Sequence, residues 1–324
     1  MPHKLVLLVY PGFQLLDVSG PAAVFDEANR ILSVEGKPAF YRVDLISSPG
    51  GLVSSNCGIT LQTQALAKTP AAKVDTLLVV GAYEESLVAA IADPSVRRWL
   101  PRCARTAKRF GSVCSGTFIL ASLGLLDGNR VATHWDSSAL LAQMYPSVIV
   151  DPDKLYVVDG RVWTSAGVTT GIDMALAMVD HDVGASVASQ VAKRLVLYAR
   201  RPGYQSQFSA LLRAQAKADD PFAGLIAWIQ DNLDQPLDVR TLAEHVSLTE
   251  RSFYRKFTGA TGSSPARFIE TLRLEATRTL LSNGQSLKEI AAQVGYQSPA
   301  RLTVAFGRRL GLAPRLFREM HAGM

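Results

Sequence analysis

Between residues 4 and 114 the chain alternates short, nearly continuous apolar runs with longer stretches in which apolar residues return every three or four positions. The runs Lys4 to Tyr10, Tyr41 to Ser47, Thr76 to Val80 and Arg109 to Cys114 have the length and β-branched content of strands buried on both faces. The periodic stretches are Gly20 to Leu32, with Pro21 placed in the first turn, and Asp93 to Lys108, opening Asp-Pro; both predict helices. Strand, helix, strand in this order predicts a parallel sheet covered on both faces. Asp159-Gly160, between Leu155 to Val158 and Arg161 to Thr164, signals a hairpin and hence a small antiparallel addition.

After Arg200 only helical periodicity remains. Residues 201–220, with Pro202, Gly203, repeated Gln and Ala and the pair Asp219-Asp220, read as a polar connector. From Pro221 onward Phe222, Leu225, Ile226, Ile229 and Leu233 share one helical face, which starts a second domain. That second domain contains an internal repeat. Leu242-Ala243-Glu244-His245-Val246 returns 48 positions later as Ile290-Ala291-Ala292-Gln293-Val294, and at a shift of 49 Phe257, Gly262, Pro265 and Phe268 match Phe306, Gly311, Pro314 and Phe317. Each copy predicts a short helix, a turn, and a second helix opened by a cap residue: Thr249 before Glu250, and Ser298 before Pro299.

In such a helix-turn-helix the second helix enters the major groove. With Phe253 and Phe257 inward, Arg251, Tyr254 and Arg255 point outward in the first copy. With Leu302 and Phe306 inward, Ala300, Arg301 and Thr303 do so in the second. Arginine can grip guanine, and small or apolar side chains can meet the thymine methyl. Lys256, Arg308, Arg309, Arg315 and Arg318 are better placed for phosphates, and any one outward arginine taken alone is better explained by solvent or phosphate than by a base. Charge agrees with this placing. The net charge is +6, and residues 237–324 hold 13 Lys and Arg against 7 Asp and Glu, so the whole excess sits in the repeat. Residues 221–322 resemble the AraC/XylS family of DNA-binding domains in the Leu-Ala before the first turn, in Phe257 with Gly262 and Pro265, in the Ile290-Ala291 to Gly295-Tyr296 block, and in Phe306 to Phe317. The resemblance implies seven helices and transcription control.

Near the end of the fourth apolar run, Gly111-Ser112-Val113-Cys114-Ser115-Gly116-Thr117 passes from a strand into an apolar helix, Phe118 to Leu126. A sharp strand-to-helix bend exposes the side chain at its corner, and a helix amino terminus can lower a thiol pKa; an isolated buried cysteine would otherwise be read as packing. Together with Tyr10-Pro11-Gly12-Phe13, Asp17, Gly20-Pro21, Val79-Val80-Gly81, Ala132-Thr133-His134-Trp135 and Thr164-Ser165-Ala166-Gly167 with Gly171, this segment resembles PfpI-like domains of the class I glutamine amidotransferase-like superfamily over residues 4–185. Joined to an AraC-type tail, it resembles the GlxA-like regulators, which implies amino-acid, betaine or related nitrogen catabolism. Hydrolytic superfamily members carry His directly after the elbow cysteine, where this chain has Ser115. Asp17 matches the acidic partner, and as an acceptor-only carboxylate it favours a protonated thiol. His134 either borders the pocket or packs as an ordinary histidine.

The expected fold class is therefore α/β: a parallel-sheet, flavodoxin-like three-layer domain (1–200), a linker (201–220), and an all-α domain with two helix-turn-helix units (221–324). The expected ligand-binding or redox-sensing pocket comprises Asp17, Gly81, Cys114, Ser115, His134, Val168 and Thr169; the DNA-binding set is Arg251, Tyr254, Arg255, Lys256, Ser298, Ala300, Arg301, Thr303 and Arg308. No catalytic residue, metal or cofactor is assigned. The expected partners are double-stranded DNA, a small-molecule effector such as an amino acid or related nitrogen compound, RNA polymerase and a second copy of the chain, in an activator of a catabolic operon. The alternative is a cysteine hydrolase or hydratase fused to a DNA-binding module. Three well-separated cysteines and the absence of a long apolar run predict a cytoplasmic, membrane-free protein.

Overall fold

The structure, a computed structural model, describes residues 2–197, 201, 203, 222–261, 263–282, 284–310 and 313–321. The chain divides into two units, Met1–Gln207 and Phe208–Met324. Most of the expected connector, together with Gly262 and Gly311, lies outside the described residues.

In the first unit the strands are β1 His3–Leu8, β2 Tyr41–Ser47, β3 Gly51–Ser54, β4 Thr60–Ala65, β5 Thr76–Val79, β6 Arg109–Val113, β7 Arg130–Val131, β8 Ile149–Val150, β9 Tyr156–Asp159 and β10 Val162–Ser165. Eight of them form one sheet in the order β3-β4-β2-β1-β5-β6-β10-β9. The parallel core, β2-β1-β5-β6-β10, has the doubly wound order in which the connections reverse between β1 and β5. Leu5, Leu7, Leu8, Leu77, Leu78 and Val113 have no exposed surface, as strands covered on both faces require. Helices α1 Leu15–Val34, α2 Glu84–Ala92, α3 Pro94–Thr106, α4 Thr117–Ala121, α5 Trp135–Met144, α6 Thr170–Val183 and α7 Ala185–Arg194 complete the unit; α1, α6 and α7 pack together, as do α2, α3 and α4.

The expected hairpin is β9–β10, antiparallel about Gly160 at φ +57°. The Asp-Pro signal is also a true start: the Asp93 carboxylate accepts the Ser95 and Val96 amides, with Pro94 opening α3. Two expectations need correction, and one pair of strands is additional to them. Pro21 is inside α1, because the helix begins at Leu15, whose amide is held by Asn56 Oδ1 at 3.2 Å across the fold, and Gln14 offers no side-chain cap. The helix after the elbow ends at Ala121, before the turns at Gly124 and Gly128, both at positive φ. The antiparallel edge β3–β4 carried too few apolar residues to be seen as strands: Leu52 is 73% exposed.

The second unit contains, among the described residues, seven helices, as the resemblance implied: α8 Ala223–Asp231, α9 Val239–His245, α10 Glu250–Thr261, α11 Pro265–Ser282, α12 Leu287–Gln293, α13 Pro299–Leu310 and α14 Pro314–His321. Phe222, Phe253, Phe257 and Phe268 stack edge-on around the first half, and Phe306 meets Phe317 in the same manner in the second. Ser286 and Glu289 form a reciprocal capping box at the start of α12. No helix among the described residues is long and apolar enough to cross a membrane.

Candidate functional site

The first site is the corner at Cys114. It lies at the carboxyl end of β6, beside the reversal in strand order, where open α/β sheets leave a crevice. Cys114 has φ +59°, a left-handed conformation that a residue with a side chain adopts only under constraint. The constraint is visible in the glycines around it. A β-carbon on Gly167 would come within 2.1 Å of Cys114 Cβ, one on Gly81 within 2.7 Å, and one on Gly116 within 2.2 Å of the Val79 carbonyl oxygen. Only bare backbone lets three loops close around the bend.

Asp17, on the first turn of α1, is fully buried and holds two of those loops. Its Oδ2 accepts the Gly81 amide at 3.0 Å and its Oδ1 the Val168 amide at 2.7 Å. Val168 is itself left-handed, at φ +51°. Burial pushes the Asp17 carboxyl up to about 6, against the pull of the two amides. The Cys114 thiol is pushed up to about 12, chiefly by burial and then by the Asp17 carboxylate. Desolvation and the neighbouring negative charge outweigh whatever lowering the helix terminus supplies, and the acceptor-only Asp17 carboxylate favours the protonated thiol.

Ser115 is committed to the scaffold: its Oγ donates to the Ala82 carbonyl at 2.8 Å and accepts the Ala82 amide at 3.0 Å. His134 stands at the amino end of α5 beside Trp135, half-buried, with burial holding its pKa low. Among the described residues no hydrogen bond joins its ring to the thiol; its neighbour Thr133 donates to the Cys114 carbonyl at 3.0 Å. Thr169 is exposed and faces outward to Arg201, whose Nη2 donates to the Thr169 hydroxyl at 2.9 Å. Asp17, Gly81, Cys114, Ser115 and Val168 thus form one cluster, with Thr169 on its rim. Sequence reasoning passed over Arg201, and over Ser165, whose buried hydroxyl, beside Val113 in the sheet register, has no hydrogen-bond partner among the described residues.

The second site is the pair of outward helix faces. On α10, Arg251, Tyr254, Arg255 and Lys256 are exposed while Phe253 and Phe257 are fully buried. On α13, Ala300 and Arg301 are exposed, and Ser298 caps the helix by accepting the Arg301 amide at 3.3 Å. Thr303 is half-buried and spends its hydroxyl on the Pro299 carbonyl at 2.8 Å. Val304, 68% exposed, takes the outward place expected of Thr303. Arg308 pairs with Glu270 on α11, and Arg318 donates to the Gln285 carbonyl, so both guanidinium groups have protein partners. The turn before α13 is braced from elsewhere in the unit. Arg273 donates to the Leu233 and Gln235 carbonyls at 3.1 and 2.8 Å and lies over the Tyr296 ring.

Residues 3–181 match the DJ-1/PfpI family. That is more than half of the chain. The chain belongs to the DJ-1/PfpI family. Behind the DJ-1/PfpI unit, residues 242–320 match a helix-turn-helix domain. Across the whole chain it is similar to the HTH-type transcriptional regulator CdhR of Pseudomonas aeruginosa (28% identical, covering 97% of this chain and 91% of that one) and to the HTH-type transcriptional regulator GlxA of Rhizobium meliloti (25%, 98% and 96%). The DJ-1/PfpI unit is also similar to the isonitrile hydratase of Pseudomonas putida (30% identical over 64% of this chain and 83% of that one). Its fold matches the crystal structure of an AraC family transcriptional regulator from Pseudomonas putida, with a TM-score of 0.52 and 20% identity over 60% of this chain and all of that one. DJ-1/PfpI sensing unit and AraC-type helix-turn-helix domain together are the architecture of a DNA-binding transcription regulator.

Proposed function

We propose that the chain regulates transcription of a catabolic operon as an activator, reading duplex DNA through α10 and α13 and sensing a small molecule at the Cys114 corner. The observation that carries the reading is the division of each helix into a fully buried aromatic or aliphatic side and an exposed basic side: Arg251, Arg255 and Lys256 on one, Arg301 on the other. Such faces meet phosphates and base edges in successive major grooves. At the other site, backbone glycines, the Ser165 hydroxyl and a protonated thiol offer polar contacts to a carboxylate or carbonyl of an amino acid or related nitrogen compound, and the thiol is a second input if oxidised. The protein works in the cytoplasm, as a homodimer, with RNA polymerase as its partner at the promoter.

The test is DNA binding by the full chain over a range of salt. Affinity should fall steeply as salt rises, and a salt-insensitive interaction would sink the proposal. A thermal-shift panel of amino acids and betaines, with Cys114→Ser and Asp17→Ala alongside, addresses the effector. Saturation at about 100 times Kd should stabilise the first unit by roughly 2.7 kcal/mol, an effect the two variants lose.

A second reading, a cysteine hydratase attached to DNA, draws on the Asp17 carboxyl, which titrates near 6 beside the thiol. It requires turnover of an isonitrile or similar substrate that disappears in Cys114→Ser and in Asp17→Ala. A thiol held at about 12 argues for binding over turnover.

A further inference from the structure

Val304 is the conspicuous feature of the second recognition helix. It is 68% exposed, yet it is a branched hydrocarbon on a helix whose charged residues, Arg301, Arg308 and Arg309, are all positive. At 100° per residue, Arg301, Val304 and Arg308 fall within about 60° of one another, on the side away from the fully buried Leu302 and Phe306. With Ala300, Tyr296 and Arg273 they border an open depression of about 530 Å³. The 49-residue repeat that superposes Phe257 on Phe306 places Val304 where the first helix has the exposed Arg255. Two helices with matched cores therefore present an exposed guanidinium on one and an exposed isopropyl group at the equivalent place on the other.

We propose that Val304 is a specificity-determining residue that packs against the C5-methyl group of a thymine. The inference rests on the DNA-binding reading above. Valine can neither donate nor accept a hydrogen bond, so the base edges that offer only polar atoms give it nothing. In the major groove thymine alone carries a methyl group. The flanking arginines bring the duplex within reach, since phosphates are drawn to them without regard to sequence. Arg255, at the equivalent place in the first unit, suits the O6 and N7 acceptors of guanine. The two grooves are read by unlike chemistry.

The experiment uses the full chain and a pool of randomised duplexes. The wild type should enrich a motif with thymine at one position, and replacing that thymine by deoxyuridine, which removes only the methyl group, should weaken binding roughly fourfold, the effect of exposing one methyl group. Val304→Ser should enrich the rest of the motif, lose the thymine preference, and be indifferent to deoxyuridine. Val304→Arg should move the preference at that position to guanine. Unaltered thermal unfolding of both variants shows that the fold is intact, as expected for so exposed a side chain. An unchanged motif in both variants, or a deoxyuridine duplex bound as well as thymine by the wild type, overturns the inference and leaves DNA binding standing; the same holds if Val304 variants lose only a protein contact. If the wild type enriches no sequence at all, the DNA-binding reading fails with it.

Discussion

Arg201 grips Asp173 from two atoms, Nε at 3.1 Å and Nη2 at 2.6 Å, and the backbone amide of Arg201 reaches the same carboxylate at 3.2 Å. Two residues on, the Gly203 carbonyl accepts the Leu155 amide at 2.9 Å. The chain leaving the first unit is thus fastened to the first turn of α6, and Arg201 also reaches Thr169 in the loop that supplies Val168 to Asp17. Arg201→Ala should lower the stability of the first unit by about 2 kcal/mol at pH 7, less than for a fully buried pair because the guanidinium is partly exposed. Burial raises the Asp173 pKa and Arg201 opposes that rise. Without Arg201 the folded-state pKa climbs further, so the loss should be largest at neutral pH and shrink on acidification. Urea unfolding at pH 7 and pH 4.5 measures both; an equal loss at the two values would contradict the coupling.

Asp17 should make the first unit more stable, relative to Asp17→Asn, as pH falls. Its folded pKa of about 6 lies above the ordinary 3.8, so the folded state binds the proton more tightly. The associated stability is fully present below about pH 4 and is lost as pH rises through 6. The swing is on the order of 3 kcal/mol across that window. Comparing wild type and Asp17→Asn at half-unit steps of pH isolates it from the other carboxylates.

Native-state alkylation should label the three cysteines in a fixed order. Cys57 is exposed, and bonds from Ser55 and the backbone lower its thiol pKa, while Cys114 and Cys103 are pushed up to about 12. At pH 7.5 that leaves about one thiolate in ten thousand or fewer at Cys114. Iodoacetamide followed by peptide mass spectrometry should find Cys57 modified at least a hundredfold faster than Cys114. Asp17→Asn should speed labelling of Cys114 by removing the adjacent negative charge. Cys114 reacting as fast as Cys57 would restore the case for an activated nucleophile.

Gly295→Ala should destabilise the second unit by about 2 to 4 kcal/mol. Gly295 has φ +71°, and a β-carbon there would meet the Leu233 carbonyl oxygen at 2.2 Å and the Arg273 guanidinium at 2.5 Å. Those groups brace the turn that sets α13, so duplex affinity should fall as well. Calorimetry of the full chain should show a lowered transition for one unit and an unchanged one for the other.

Strands with local, continuous hydrophobicity were readable in advance: β2 begins and ends where the apolar run does. So was α3, whose start is written in Asp93-Pro94. What could not be read depended on distant partners. The start of α1 is held by Asn56, forty-one residues away in sequence, and β3 and β4 exist through their pairing rather than their composition. The corner at Cys114 was legible because its small residues are local, and Asp17 was found by resemblance to a motif. Its bond to Val168 spans 151 positions, a distance no pattern reports. On α13 the spacing from Arg301 through Val304 to Arg308 is present in the sequence, but the sequence does not show that the helix backbone takes the Thr303 hydroxyl for itself.

Asp17 also sets how the first pocket can move. It sits on the helix after β1 and fastens the loops that follow β5 and β10, so one side chain is the keystone of the segments that leave three strands. An arch of that kind does not loosen stone by stone. Whatever draws the carboxylate itself away frees both flanking loops together, and the response at this end of the sheet is a single step rather than a graded yielding.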